Sequence, residues 1–304
     1  MFHNKKIIDC VLYNGELDIL KLRLQLYNEL VDEFHITEAN QTFTGIQKND
    51  LLESLIEIEL KPFSQKIYYH LITELPESNS PWDKEYFLRE KSLELASPKD
   101  DDLVIVSDVD EILNLDYVLK NYNHDKINVV EIDCFYYYYN LASNEKMDAS
   151  LLAIYSLLKD KKIGKRYNFC SEEERNFMLA NGGRTGGHFT YQFGSEIDKY
   201  IKKVKSFSHQ EYNNDFYLNP QKLKFLIENE MDIFHRFKFQ YKKSNLKKTF
   251  PKLNEIINEN PTYQKTKRSN FLVLINQLMF KEYRVFKYYN LKHKIKVLLK
   301  LVKD

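Results

Sequence analysis

Three carboxylates within four positions, Asp108, Asp110 and Glu111, follow the apolar run Leu103-Val104-Ile105-Val106 after a single serine. Oxygen donors this close together suit a hard divalent cation that also holds phosphate oxygens. Acids at such a place also serve as plain caps for a turn or a following helix. Three of them at the end of one apolar run favour the metal. Two chemistries use the arrangement. In a nucleotide-sugar transferase the cation neutralises the leaving diphosphate; in an aspartyl phosphatase the first Asp is the nucleophile.

The elements that would position these acids alternate in type. Ile7 to Tyr13 predicts a strand, and Leu17, Leu20, Leu24, Tyr27 and Val31 recur at helical spacing between Glu16 and Asp32. Glu33 to Thr37 and Lys66 to His70 predict two further strands, and Pro81 to Ala96 a helix that Pro81 starts and Pro98 stops. The run 103–106 is apolar at every position, as a strand buried on both faces would be. Strand and helix in alternation predict an α/β fold with a mostly parallel central sheet and flanking helices. Ligands bind such sheets at the carboxyl ends of the strands, where the acids fall. Further on, Ile127 to Asn140 predicts a long strand rich in tyrosine, and about Asp148 to Lys161 a helix. Five of the eight glycines lie between 182 and 194, which marks a loop with unusual backbone angles or close approach to a ligand. Beyond Pro220 the chain reads as helical, with basic amphipathic helices over 270–303.

The phosphatase reading is the weaker of the two. Motifs of the haloacid-dehalogenase type place Thr or Val where Ile112 stands and a Gly-Asp later on, which this chain lacks, and they open the domain rather than follow three strands. A set of ordered blocks instead resembles glycosyltransferase family 17, the N-acetylglucosaminyltransferase III family. Ile8 to Asp18 is similar to its opening; Glu38 to Gly45, then Trp82, Glu85 and Arg89, then Ser107 to Ile112 match successive blocks. Gly187 to Tyr191 with Ser206 to Glu211 match a fifth.

The resemblance implies a GT-A fold, inversion at the anomeric carbon, UDP-N-acetylglucosamine as donor and Mn²⁺ or Mg²⁺ as cofactor. On that footing Asp110 ligates the metal, Asp108 meets metal or ribose, and His209 is a third metal ligand or an ordinary histidine. Asn14, Glu16 and Glu38 face uridine or ribose, and Arg89 pairs with the diphosphate or is a helix-surface arginine. An inverting transfer needs one general base. The resemblance puts it at the helix start after the glycine-rich loop, at Glu196 first, with Asp198 and Glu211 in reserve, each equally readable as an acid favoured by a helix dipole. The chain departs from the family at its Gly-Trp-His-Phe block, which reads Gly186-Gly187-His188-Phe189. A second tryptophan, expected after the tyrosine-rich strand, is replaced by Lys146-Met147-Asp148. Tyr137, Tyr139, Phe189 and Tyr191 are the aromatic residues that would support an acceptor sugar in their place, or else, as an aromatic strand more often does, belong to the core.

Composition bounds the partners. No apolar run is long enough for a transmembrane helix, residues 1–10 lack a secretory pattern, and three scattered cysteines argue against a disulfide framework. A cytoplasmic location is expected. The net charge of +1 conceals ten Lys/Arg against Glu282 and Asp304 in residues 267–304, a surplus of eight on an acidic body. The chain is thus divided into a catalytic domain over 1–265 and a basic tail over 266–304. The tail suits an anionic membrane surface at the inner leaflet, where a lipid-linked glycan would be an acceptor; its alternative is a packed helix pair with a solvated lysine face. No nucleic-acid partner is expected. A GT-A-like binding subunit without activity is the non-enzymatic reading, against which stand acids that repel one another unless a cation joins them.

Overall fold

The computed structural model describes residues 5–78, 80–166, 169–236 and 239–259. Four strands build the first half: β1 (Ile7–Tyr13), β2 (Glu33–Ala39), β3 (Ile67–Ile72) and β4 (Leu103–Asp108). They pair in parallel in the order β3-β2-β1-β4. β1 and β4 are buried almost throughout, which is why neither shows polar alternation. Helix α1 (Leu17–Tyr27) packs Leu20, Leu24 and Tyr27 on one face of this sheet. A short α2 (Glu53–Glu59) follows β2. Helix α3 (Pro81–Ala96) lies on the opposite face, begun by Pro81 and ended by Ser97, whose φ of +46° breaks the helix before Pro98.

The second half changes the sheet. It contributes β5 (Glu111–Leu113), α4 (Leu115–Asn121), β6 (Ile127–Tyr136), β7 (Leu141–Ile154), β8 (Arg175–Met178) and β9 (Gly186–Thr190). Then come α5 (Ile197–Ser206), α6 (Pro220–Glu228), β10 (Tyr241–Lys243), α7 (Leu246–Thr249) and α8 (Pro251–Asn258). The full order is β3-β2-β1-β4-β7-β6-β9-β5, with β10 on β7 and β8 on β6. β7 runs antiparallel to β4, β6 and β10, and β5 antiparallel to β9. The architecture is α/β with flanking helices, and the sheet is mixed rather than mostly parallel.

Two local expectations are corrected. The segment from Asp148, predicted helical, is the second part of β7, followed by a short 3₁₀ turn at Tyr155–Leu157. Its run Leu151-Leu152-Ala153-Ile154 is apolar at every position and fits a buried helix or a buried strand equally well. Hydrogen bonding from β4 on one side and β6 on the other decides for strand. The glycine cluster is not one loop, since Gly186 and Gly187 lie in β9. Residues 260–304, with the predicted basic helices, lie outside the described residues.

A third, aromatic cluster packs Tyr137, Tyr191, Tyr200 and Phe234 beneath α5 and α6. It fixes α5 against the end of the sheet, next to the acid turn.

Candidate active site

Parallel pairing sets the ends of β1, β2 and β4 level, with Leu12 opposite Asp108 and Tyr13 opposite Glu38. The turn from Asp108 to Glu111 is held from below by Arg23 of α1, which is fully buried. Arg23 donates twice to the Asp9 carboxylate, at 2.8 and 2.6 Å, and to the Ser107 hydroxyl. Its remaining guanidinium nitrogen donates to the carbonyls of Asp108 and Glu111, at 3.2 and 2.6 Å. The direction of the acidic side chains is therefore fixed by a buried, fully bonded cation.

Above the turn opens a cleft of about 640 Å³. Asp108 pairs with Arg89 of α3 at 3.2 Å and with Arg166. Arg166 also bridges to both carboxylate oxygens of Glu111. Arg89 donates to the Gly164 carbonyl at 2.6 Å and to Glu85 at 2.8 Å, so the loop carrying Arg166 is tied to α3. Asp110 lies between Lys203 of α5, at 3.0 Å, and His188 of β9, at 3.4 Å. Lys203 reaches Glu16 as well, at 3.3 Å. Burial alone would raise both aspartates, but Arg166 and Arg89 hold Asp108 below its usual range, and Lys203 with His188 hold Asp110 well below it. Burial disfavours a charged His188, yet the Asp110 carboxylate outweighs it and pushes the imidazole up to about 10. Burial drives Glu111 upward against the opposing Arg166.

Of the residues assigned from sequence, Asn14, Glu16, Arg89, Asp108, Asp110 and His209 line this cleft. Glu38 does not: it is fully buried and accepts from Lys48, the Leu52 amide and the Tyr69 hydroxyl, fixing the segment after β2. Glu196 and Asp198 open α5 on its exposed side, and Glu196 pairs with Lys199. Glu211 is outside the lining but bonds His209 Nδ1 at 2.8 Å, and the His209 ring stands edge-on to Trp82 at 4.7 Å. An aromatic wall of Trp82, Tyr86, Tyr136, Phe207, Tyr212 and Phe234 completes the cleft. Lys203, Arg166 and Glu145 line the cleft without a local signal in the sequence, and His188 lines it from within the Gly187 to Tyr191 block.

Among the described residues, no three His, Cys, Asp or Glu side chains converge where a metal ion could sit. The oxygens expected to ligate Mn²⁺ or Mg²⁺ are engaged by Lys203, His188, Arg89 and Arg166, so the side chains as arranged do not fit a divalent ion. The replaced tryptophan has a steric counterpart. A Cβ at Gly187 would stand 2.6 Å from the Phe189 ring and 2.7 Å from that of Phe135, two rings stacked at 4.7 Å. Tyr137, Tyr139 and Phe189 are core, whereas Tyr191 lines the cleft.

The sequence profile of Glycosyltransferase family 17 matches residues 2–278, nearly the whole chain. The chain belongs to glycosyltransferase family 17. Membership supports an enzymatic, glycosyltransferase-type activity in general and suggests a nucleotide sugar as reactant. No curated protein matches this family 17 chain. Among solved structures, the crystal structure of 4-diphosphocytidyl-2C-methyl-D-erythritol synthase is similar at 11% identity and a TM-score of 0.36, over 58% of this chain and 89% of that one. That likeness is too slight to bear on function. No helix among the described residues of the family 17 chain is long and apolar enough to cross a membrane.

Proposed function

We propose that this family 17 protein is an inverting glycosyltransferase on a GT-A-type scaffold. It moves N-acetylglucosamine from UDP-N-acetylglucosamine to a hydroxyl of a glycan acceptor in surface-glycan assembly. The observation that carries this reading is the single cleft in which the end of β1, the Asp108–Glu111 turn and paired cations meet an aromatic wall. Asn14 and Glu16 are placed for the nucleoside, the arginines for the diphosphate, and Trp82 and Tyr212 for the apolar faces of sugar rings.

Transfer with inversion is one displacement. The acceptor oxygen bonds to the anomeric carbon as the bond from that carbon to the diphosphate oxygen breaks, and the acceptor proton passes to a base. Of the three acids expected as base, Glu211 alone is coupled to the cleft, through His209. The His209 Nδ1–H donated to Glu211 leaves Nε2 as the basic nitrogen. His209 is then the base and Glu211 its orienting partner, while Glu196 and Asp198 remain on the outer side of α5. Arg89 and Arg166 balance the acids of the turn, and Lys165 beside them adds positive charge that offsets charge developing on the leaving diphosphate.

The test is release of UDP from a panel of nucleotide sugars with a mixed glycan acceptor pool, with and without Mn²⁺. Turnover of UDP-N-acetylglucosamine, lowered about 10²- to 10⁴-fold in kcat by His209→Asn, is expected. Binding without turnover of any sugar would leave a binding subunit, and consumption of no nucleotide sugar would overturn the reading. The proposed division at 265 has a catalytic unit followed by a basic tail, and the family match continues past it to 278. Cytoplasmic placement at the inner face of a membrane, through that tail, is tested by co-sedimentation with anionic vesicles. Equal pelleting of the full chain and of a chain ending at 265 would count against it.

A further inference from the structure

We infer that this cleft binds its nucleoside diphosphate without a divalent cation, because Lys203 occupies the place at Asp110 that a metal would need and Lys165, beside Arg166, presents a charge to the diphosphate that no carboxylate among the described residues has claimed. The inference rests on the transferase reading above.

Lys203 bridges Asp110 at 3.0 Å and Glu16 at 3.3 Å, its side chain is 13% exposed, and its ammonium stands 5.3 Å from the centre of the Tyr191 ring. It thus joins the end of β1 to the acid turn, as a divalent ion shared by two carboxylates would. A metal at Asp110 would meet Lys203 on one carboxylate oxygen and His188 on the other, and two like charges on one carboxylate repel. Asp108 is closed to a metal in the same way, between Arg89 and Arg166. The acids at this turn are therefore neutralised from within the protein, which removes their repulsion toward a diphosphate.

Net attraction needs a cation that no carboxylate has claimed. Lys165 lines the cleft beside Arg166, is exposed, and has its ammonium 5.7 Å from the centre of the Tyr86 ring. It has no carboxylate partner among the described residues. The 3₁₀ turn Ile163–Lys165 is anchored to α3, where the backbone at Gly164 packs so closely that a Cβ would lie 2.8 Å from the Tyr86 carbonyl oxygen. That anchoring holds the backbone bearing Lys165 at the cleft.

The experiment is calorimetric titration of the full chain with UDP and with UDP-N-acetylglucosamine, once in EDTA and once in Mn²⁺. Free Mn²⁺ is followed in parallel by its electron paramagnetic resonance signal. The dissociation constants should agree within about threefold between the two buffers. Wild-type protein without nucleotide should leave the free Mn²⁺ signal unchanged. Lys165→Ala, at an exposed position, should weaken binding about tenfold in EDTA. Lys203→Met should weaken it too and should begin to deplete free Mn²⁺, because Glu16 and Asp110 lose their shared cation. Nucleotide binding in Mn²⁺ but not in EDTA would overturn the inference and leave the transferase reading standing. So would capture of Mn²⁺ by the wild type. Absence of binding in both buffers would overturn both.

Discussion

Charge at the acid turn is settled by a few side chains from distant parts of the chain, and they differ widely in what they contribute. Arg23 and Asp9 are fully buried and doubly bonded. Removing one partner strands a charge in the core, so Arg23→Met should destabilise the protein by about 3–5 kcal/mol in urea unfolding. The exposed pair Lys199–Glu196 is the control: Glu196→Gln should cost about 0–1 kcal/mol. If the two substitutions cost the same, Arg23 is not the clamp described. Asp108 and Asp110 were legible in the sequence because their spacing and the apolar run before them carry the signal. Lys203 and Arg166 were not, since each meets the turn only after some 55 to 93 residues of chain have folded. Arg23 did leave a trace, as a charge in the middle of the leucine-rich face of α1.

Among the elements, β2 and β3 form the parallel edge of the sheet and carry a histidine pair. His35 Nδ1 lies 3.0 Å from His70 Nε2, and His35 Nε2 lies 3.3 Å from Glu33. Burial lowers both imidazoles below 6.5, against the pull of Glu33 and Asp9 on His35 and with the push of Lys6. The unfolded chain then takes up protons at a higher pH than the folded one. The pair's contribution is whole above the unfolded value and falls as pH drops through it, so the pair's share of the unfolding free energy should decline from about pH 7.5 to 5.5, while His188, raised to about 10, contributes in the opposite sense over the same interval. His70→Gln, which keeps a donor for His35, should flatten that slope; an unchanged slope would remove the pair as its cause. The edge between β5 and β9 is held by contact instead. Gly186 has φ +143°, and a Cβ there would lie 2.3 Å from the Ile112 carbonyl oxygen. Gly15, with φ +101°, has nothing within 4 Å. Gly15→Ala should therefore cost only about 1–2 kcal/mol of backbone strain, and Gly186→Ala distinctly more, as melting temperatures will show. The strands of the first half were readable from their flanking breakers. β7 was not, because a short run apolar at every position carries no period, and only its neighbours make it a strand.

Taken whole, the molecule closes its cleft from both halves of the chain: β1, α3 and β4 on one side, α5, His209 and Arg236 on the other. A ligand that touches both halves couples them. UDP at about 100 times its dissociation constant should raise unfolding free energy by about 2.7 kcal/mol in one cooperative transition. If the nucleotide stabilises only one of two separable transitions, the halves are independent. At this scale the sequence conveyed the α/β alternation and the end of the sheet where the cleft lies. It did not convey the antiparallel second half, whose pairings depend on contacts far apart along the chain.

The glycine at 187 also bears on ancestry. The rings of Phe135 and Phe189 fill the space above it, so an indole at 187 and a phenyl group at 135 exclude one another. An exchange of volume between these neighbouring strands would keep the width of the layer constant. Family members that keep tryptophan at this position should therefore carry a small residue at the one aligned with Phe135, and the two should change together through descent. In this chain Gly187→Trp should fold only in company with Phe135→Ala.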